Sequence, residues 1–294
     1  MRVLVTGWFS FEQMGASAGD LLARDLVCSW LKRAGCHYDV AVAAPFSGGI
    51  DWRDSSADDY DAVLFICGPF GNGPPVTDFL EYFSGVPLFG LNLSMLQALD
   101  VWNPFQLLLE RDSSEARRPD LVFLSSQPKV PVAGLILVHP QEEYGERAMH
   151  KVADAALQRL IKSREMAVIP IDTRLDENQG GLRTPGEVES LIAKTDVVIT
   201  TRLHGMVLAI KNGVPPLVVD PIAGGAKILR QAGAIDWPVV FTADTLNQEE
   251  LETALNFCLS DAGRQKAAQV YTGAVTRLAG VQDRLIAGLN ALEA

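Results

Sequence analysis

Short apolar runs alternate along this chain with stretches whose apolar residues recur every three to four positions. RVLVTG (2–7) is an apolar run closed by glycine. GDLLARDLVCSWLKRAG (19–35) follows, with Leu22, Leu26, Trp30 and Leu31 at helical spacing, Asp20 at its start and Gly35 at its end. DVAVAA (39–44), DAVLFICG (61–68) and VPLFGLNL (86–93) read as further strands, and QLLLERD (106–112) and DLVFL (120–124) as short ones. The continuous apolar character of 61–68 is that of a parallel strand covered on both faces.

At SSQPKVPVAG (125–134) the periodicity stops, and two prolines and two serines mark a linker. The same alternation then restarts. GLILVHP (134–140), MAVIPI (166–171), DVVITT (196–201) and PPLVVD (215–220) read as strands. ERAMHKVADAALQRLIKS (146–163), GEVESLIAKT (186–195), GMVLAIKNG (205–213) and KILRQAGA (227–234) read as helices. Strands separated by helices in two successive blocks predict an α/β protein of two Rossmann-like, doubly wound parallel-sheet domains facing a cleft. The predicted division is 1–127, 132–270 and a C-terminal helical segment 271–294 that crosses back to the first domain. Val275, Leu278, Val281, Leu285 and Leu289 on that segment read as core packing.

A length of 294 residues agrees with two domains. The formal net charge of −11 argues against nucleic acid as partner, because non-specific binding there rests on neutralising phosphates. It leaves room for a small anion held by a few local cations. No stretch approaches the roughly 18 uninterrupted apolar residues of a membrane span, and the opening residues read as a strand rather than a leader. Cys28, Cys36, Cys67 and Cys258 show no metal-binding spacing. Cys28 and Cys67 sit among apolar residues as buried thiols, which points to a reducing, cytoplasmic compartment. A homodimer is compatible with this size and acidity.

The chemistry concentrates in TTRLHGMVLAIKNGVPPLVVDPIAGGAK (200–227). A buried strand runs directly into Thr-Arg-Leu-His-Gly and a helix, so Arg202 and His204 fall at the strand's C-terminal edge, where open α/β sheets bind ligands. The helix from Gly205 offers free N–H groups and a positive dipole end. Arg202 offers a planar fork for carboxylate or phosphate, and His204 can change protonation near neutrality. Asp220, Gly224 and Gly225 lead to Lys227, a second cation for the same place. His139 ends the first strand of the second block and is a further acid/base candidate. Asp20 is either a functional carboxylate or a helix cap, and Arg111 either an anion contact or half of an ion pair. The loop Gly68–Pro75 follows a buried strand but lacks the GKS/GKT of a P-loop. His37 and His150 read as solvated.

The stretch Thr201-Arg202-Leu203-His204-Gly205, with Ala209, Gly213, Pro215 and Lys227, resembles the polysaccharide pyruvyl transferase family. Ala18-Gly19-Asp20 resembles that family's Asn-x-Gly-Asp opening of the first helix, with Ser17 where Asn is usual. Residues 59–73 and Leu109–Ser114 are weaker echoes. The resemblance implies a fold similar to GT-B glycosyltransferases, with the first domain on the acceptor side and the second on the donor side. It also implies transfer of the pyruvyl group of phosphoenolpyruvate (PEP) to two hydroxyls of a sugar-containing acceptor as a ketal. The site residues it implies are Arg202, Leu203, Gly205, Lys227, Arg111 and Gly19 for substrate, and His204, His139 and Asp20 for proton transfer. This chemistry calls for no cofactor or metal. Two other readings share the scaffold: a glycosyltransferase using a nucleotide sugar, and a non-catalytic anion or sugar-phosphate binding protein.

Overall fold

The computed structural model describes residues 1–139 and 142–292. The chain forms two compact units, Met1–Pro128 and Lys129–Ala294.

In the first unit, β1 (Arg2–Gly7), β2 (His37–Val40), β3 (Ala62–Ile66), β4 (Leu88–Leu91) and β5 (Leu107–Leu109) form a parallel sheet in the order β2-β1-β3-β4-β5. Val3, Val5 and Ile66 pack with Val27 of α1 (Ala18–Arg33). Leu4, Val63 and Phe65 pack into an aromatic cluster that includes Phe11, Trp52 and Phe79 of α2 (Val76–Tyr82). The period-two alternation of β1 thus sends neighbouring residues into different clusters, as a strand covered on both faces requires.

The second unit repeats this plan. β6 (Val132–Ile136), β7 (Ala167–Pro170), β8 (Val197–Thr200), β9 (Pro216–Asp220) and β10 (Val240–Thr242) run parallel in the order β10-β9-β8-β6-β7. Val197, Ile199 and Leu217 pack with Leu157 and Leu160 of α3 (His150–Lys162) and with Leu251 and Leu255 of α7 (Gln248–Cys258). Ile136 and Val198 face the other way, toward Val188 and Ile192 of α4 (Pro185–Ile192). Burying each such aliphatic side chain stabilises by about 1.5–3 kcal/mol.

In chain order both sheets read 2-1-3-4-5, a doubly wound arrangement whose switch point lies between its first and third strands. That point falls between β1 and β3 in the first unit and between β6 and β8 in the second. The expected class, α/β with two Rossmann-like parallel sheets, is the one observed.

Several sequence expectations are corrected. Residues 120–124 form a 3-10 turn at Leu121–Leu124 instead of a strand. The Asp120 carboxylate accepts from Val122 N–H at 2.8 Å, and Asn92 Oδ1 accepts from Leu121 N–H at 3.0 Å, so side chains take the donors a ladder would use. The predicted linker overlaps β6. The C-terminal segment breaks at Gly280 (φ 78°) into α8 (Asp261–Arg277) and α9 (Val281–Asn290). No residue of α9 is buried, and Leu278, Leu285 and Leu289 are 65%, 61% and 51% exposed, so these side chains are not core. His150 is buried rather than solvated. Cys67 is buried as expected and Cys28 only half-buried, and all four thiols are unpaired.

Candidate functional site

The switch point of the second sheet is riveted by two buried threonines. Thr200 Oγ1 donates to the Ile136 carbonyl at 2.8 Å and accepts from Arg202 N–H at 2.9 Å. Thr201 Oγ1 accepts from Val138 N–H at 2.9 Å. These bonds fix the exits of β6 and β8 relative to each other. They give the Val138 and Arg202 N–H groups partners where the ladder ends.

Helix α5 (Leu203–Lys211) starts at once, two residues earlier than its sequence pattern predicts. It begins this close because residue 205 is glycine: a Cβ there would lie 2.2 Å from Thr200 Oγ1. Gly205 is therefore a packing requirement of the strand-to-helix turn. Leu203 and His204 open the helix, and the side chain of its N-cap residue, Arg202, makes no cap hydrogen bond among the described residues. His204 is exposed.

Beside Arg202 stands a residue the sequence reading passed over. Asp172, two residues beyond β7, has Oδ1 3.4 Å from Arg202 Nη1 and Oδ2 3.7 Å from His139 Nε2. Its side chain is 11% exposed, against 20% for Arg202 and 40% for His139. Its loop is held by Asn178, whose amide donates to the carbonyls of Asp172 and Arg174 and accepts from the N–H groups of Gly180 and Leu182. A cavity of about 460 Å³ opens here, lined by Val138, His139, Asp172, Gln179 and Gly180 among others. Arg174, on the same loop, turns to Asp176, and that ion pair draws the Asp176 carboxyl down to about 2. The one signal available for Asp172 was its place just past an apolar run, on the edge that carries His139 and Arg202.

Lys227 opens α6 (Lys227–Ile235) and is exposed, outside this cluster. The start of α6 is already served by the chain. Asp220, 1% exposed, accepts from Ala226 N–H at 2.7 Å, Leu229 N–H at 3.0 Å and Ile222 N–H at 3.2 Å. Arg147 donates to the carbonyls of Ala223 and Gly225, pinning the Gly224–Gly225 turn, where both residues have positive φ.

The remaining candidates lie in the first unit. Gly19 and Asp20 open α1. There Asp20 Oδ2 accepts from Ser17 N–H and from Ser17 Oγ, each at 2.7 Å, while Ser17 Oγ accepts from Asp20 N–H at 3.4 Å. This is a capping box, and Ser17 is the residue it uses. Arg111 is shared between Asp120 (2.9 Å), Asp112 (3.3 Å) and Ser94 Oγ (2.5 Å). Those partners make it an ion-pair hub, and the Ser94 hydroxyl and the Arg111 guanidinium hold the Asp112 carboxyl below its usual range. Among the described residues, no group of three or more His, Cys, Asp or Glu is placed to hold a metal ion.

Fold and site together define a doubly wound α/β protein with an Arg–Asp–His cluster at the switch point of its second sheet. The polysaccharide pyruvyl transferase family model matches residues 117–221, which carry His139, Asp172 and Arg202–Gly205. The match starts after Arg111 and ends before Lys227. The resemblance carried by Thr201–Gly205 thus extends over β6 to β9. No curated protein matches the chain.

Similar solved structures include spinosyn forosaminyltransferase SpnP, at 15% identity and a TM-score of 0.33 over 98% of this chain and 99% of that one. UDP-GlcNAc 2-epimerase from Methanocaldococcus jannaschii overlaps at 11% identity and a TM-score of 0.35, over 95% and 99%. MurG from Acinetobacter baumannii overlaps at 13% and 0.33, over 92% and 94%. No helix among the described residues is long and apolar enough to cross a membrane.

Proposed function

We propose that the chain is a polysaccharide-modifying transferase that moves the pyruvyl group of PEP onto two hydroxyls of a sugar-containing acceptor. The observation that carries this reading is the placement of Arg202 and His139 on one carboxylate at the second switch point, inside the matched stretch. Doubly wound sheets bind ligands at that crevice. Arg202 directs Nη1 at Asp172 and, among the described residues, keeps Nε and Nη2 for an anion. The start of α5, where Arg202 makes no side-chain cap, adds N–H donors and a positive dipole end for phosphate. Lys227 and His204, both exposed, are the further cation and proton carrier of the donor side. Gly19, Asp20 and Arg111 belong to the acceptor-side unit, where the last two support its structure.

In the proposed reaction an acceptor hydroxyl attacks the central carbon of PEP and gives its proton to a base. The vinyl CH2 takes a proton from an acid, the role we give to His204, and becomes a methyl group. The bond to the phosphate oxygen then breaks, and inorganic phosphate leaves with the electron pair. The second hydroxyl closes on the oxocarbenium-like carbon and loses its own proton. His139 is the base we assign, since it borders the cavity and contacts Asp172. A reducing, cytoplasmic compartment fits the four unpaired thiols.

Calorimetry with PEP, inorganic phosphate and UDP tests the donor. PEP binding by the wild type and its loss in Arg202→Ala, with an unchanged circular dichroism spectrum, is the expected result. Binding of UDP but not PEP would replace this reading with a nucleotide-sugar transferase. PEP binding without phosphate release across a panel of acceptors would make the protein a non-catalytic binder.

A further inference from the structure

We propose that Asp172 is a positioning residue that fixes the tautomer of His139, so that Nδ1 is the nitrogen offered to the acceptor hydroxyl. This rests on the reading of the site given above. Three observations carry it. Asp172 Oδ2 faces His139 Nε2 at 3.7 Å, in the range of the long catalytic contacts common in ligand-free sites. The carboxylate is itself held. Oδ1 lies 3.4 Å from Arg202 Nη1 and accepts from Arg174 N–H at 2.9 Å, and Asn178 clamps the loop from both sides. And its side chain is nearly excluded from water, whereas that of His139 is 40% exposed at the cavity. A fixed carboxylate on one ring nitrogen sets which nitrogen carries the proton. With the proton on Nε2, directed at Asp172, Nδ1 has the free electron pair a general base needs.

The same geometry says what an amide does at this position. In Asp172→Asn the single oxygen is claimed by Arg174 N–H at 2.9 Å and Arg202 Nη1 at 3.4 Å, two donors against the one, Gln179 N–H at 3.5 Å, that meets the other oxygen. The NH2 group is then left facing His139 Nε2. It forces Nε2 to accept, moves the imidazole proton to Nδ1, and removes the base from the cavity. Arg202 stays in place, so donor capture survives while proton transfer does not.

Nitrogen-edited NMR of the imidazoles, above the pH at which they are protonated, reads the tautomer directly. The chain has four histidines, and the signals of His139 are those missing from His139→Gln. The expected result is Nε2–H in the wild type and Nδ1–H in Asp172→Asn. An Nδ1–H wild type, or one tautomer in both proteins, overturns the proposal. An Nδ1–H wild type overturns it even if Asp172→Asn does not fold, and Asp172→Ala then supplies the comparison, since without the carboxylate the two tautomers should both be populated.

Kinetics supply the second arm. Asp172→Asn should lower kcat on the order of 100-fold or more while PEP binding is retained. It should cost nothing further in a His139→Ala background. An equal loss in that background would mean that Asp172 acts through Arg202 or the fold, and the proposal fails. If no acceptor is pyruvylated, the functional reading fails and the tautomer still decides the role of Asp172.

Discussion

Gly205 stands directly over Thr200: a Cβ added to the glycine would lie 2.2 Å from the threonine Oγ1. That hydroxyl cannot retreat, because it bonds to the Ile136 carbonyl and the Arg202 N–H. Gly205→Ala must therefore push α5 off the sheet edge or break the bonds that seat Arg202. Overpacking of this kind costs about 1–3 kcal/mol. The expected outcome is a lowered denaturation midpoint together with weaker PEP binding, read by urea titration and calorimetry on one sample. A variant with wild-type midpoint and affinity would mean that the turn relaxes freely.

Arg111 and Arg202 carry the same charge, and their surroundings predict opposite phenotypes. Arg111 spends its donors on Asp112, Asp120 and Ser94 and so ties three segments of the first unit together. Arg202 directs one nitrogen at Asp172 and borders the anion-binding edge of α5. Arg111→Met should lower the melting temperature, since removing one partner leaves the part-buried Asp120 carboxylate uncompensated. PEP affinity should be unchanged. Arg202→Ala should lose PEP binding with a smaller change in the melt, because its contact with Asp172 is long at 3.4 Å and that carboxylate keeps the Arg174 N–H at 2.9 Å. Thermal melts and calorimetry on both variants check the contrast, and a loss of PEP binding in Arg111→Met at an unchanged melting temperature would reassign Arg111 to the ligand.

Ser17 and Asp20 cap α1 reciprocally. Ser17→Ala and Asp20→Ala should each cost about 1 kcal/mol, typical of a lost helix cap. The double variant should cost less than the sum of the two, because each removes the other's partner. Urea midpoints of the three proteins give the coupling. Strict additivity would show that the box is not formed.

The buried strands were legible because parallel strands covered on both faces are apolar throughout, as VVIT (197–200) and AVLFI (62–66) are. Arg202 and His139 were legible for the same reason as residues just past strand ends, although β6 stops at Ile136, three residues short of the His139 end expected from the sequence. Asp172 was not, since its meaning depends on contacts with residues 30 and 33 positions away that only the sheet order brings together. Arg111 was ambiguous in sequence because an arginine near acids suits both an anion site and an ion pair. Its contacts with Ser94 and Asp120 decide the structural part of that question. The 3-10 turn at Leu121–Leu124 escaped prediction because Asn92, far away in sequence, takes one of its donors. α9 was misread for the opposite reason: its helical spacing is genuine, yet apolar spacing alone does not say what the face meets.

One acidic residue is expected to destabilise the fold at neutral pH. Asp154, on α3, has Oδ1 buried without a hydrogen-bond partner among the described residues, as has His150 Nε2 one turn earlier. Burial raises the Asp154 carboxyl above its ordinary value, and His150 only partly opposes it. A carboxyl whose pKa is higher folded than unfolded binds its proton more tightly in the native state. The destabilisation is therefore full above the folded pKa, where the native state must hold a charge, and fades as pH falls below the unfolded value. Asp154→Asn removes the charge and should raise the melting temperature at pH 7. The gain should shrink on acidification toward about pH 3–4, where wild-type Asp154 is itself protonated. Melting curves of both proteins between those limits give the difference directly. A gain that is constant with pH would locate the effect in packing, and a loss at pH 7 would show that the Asp154 charge is paired with His150 in the native state.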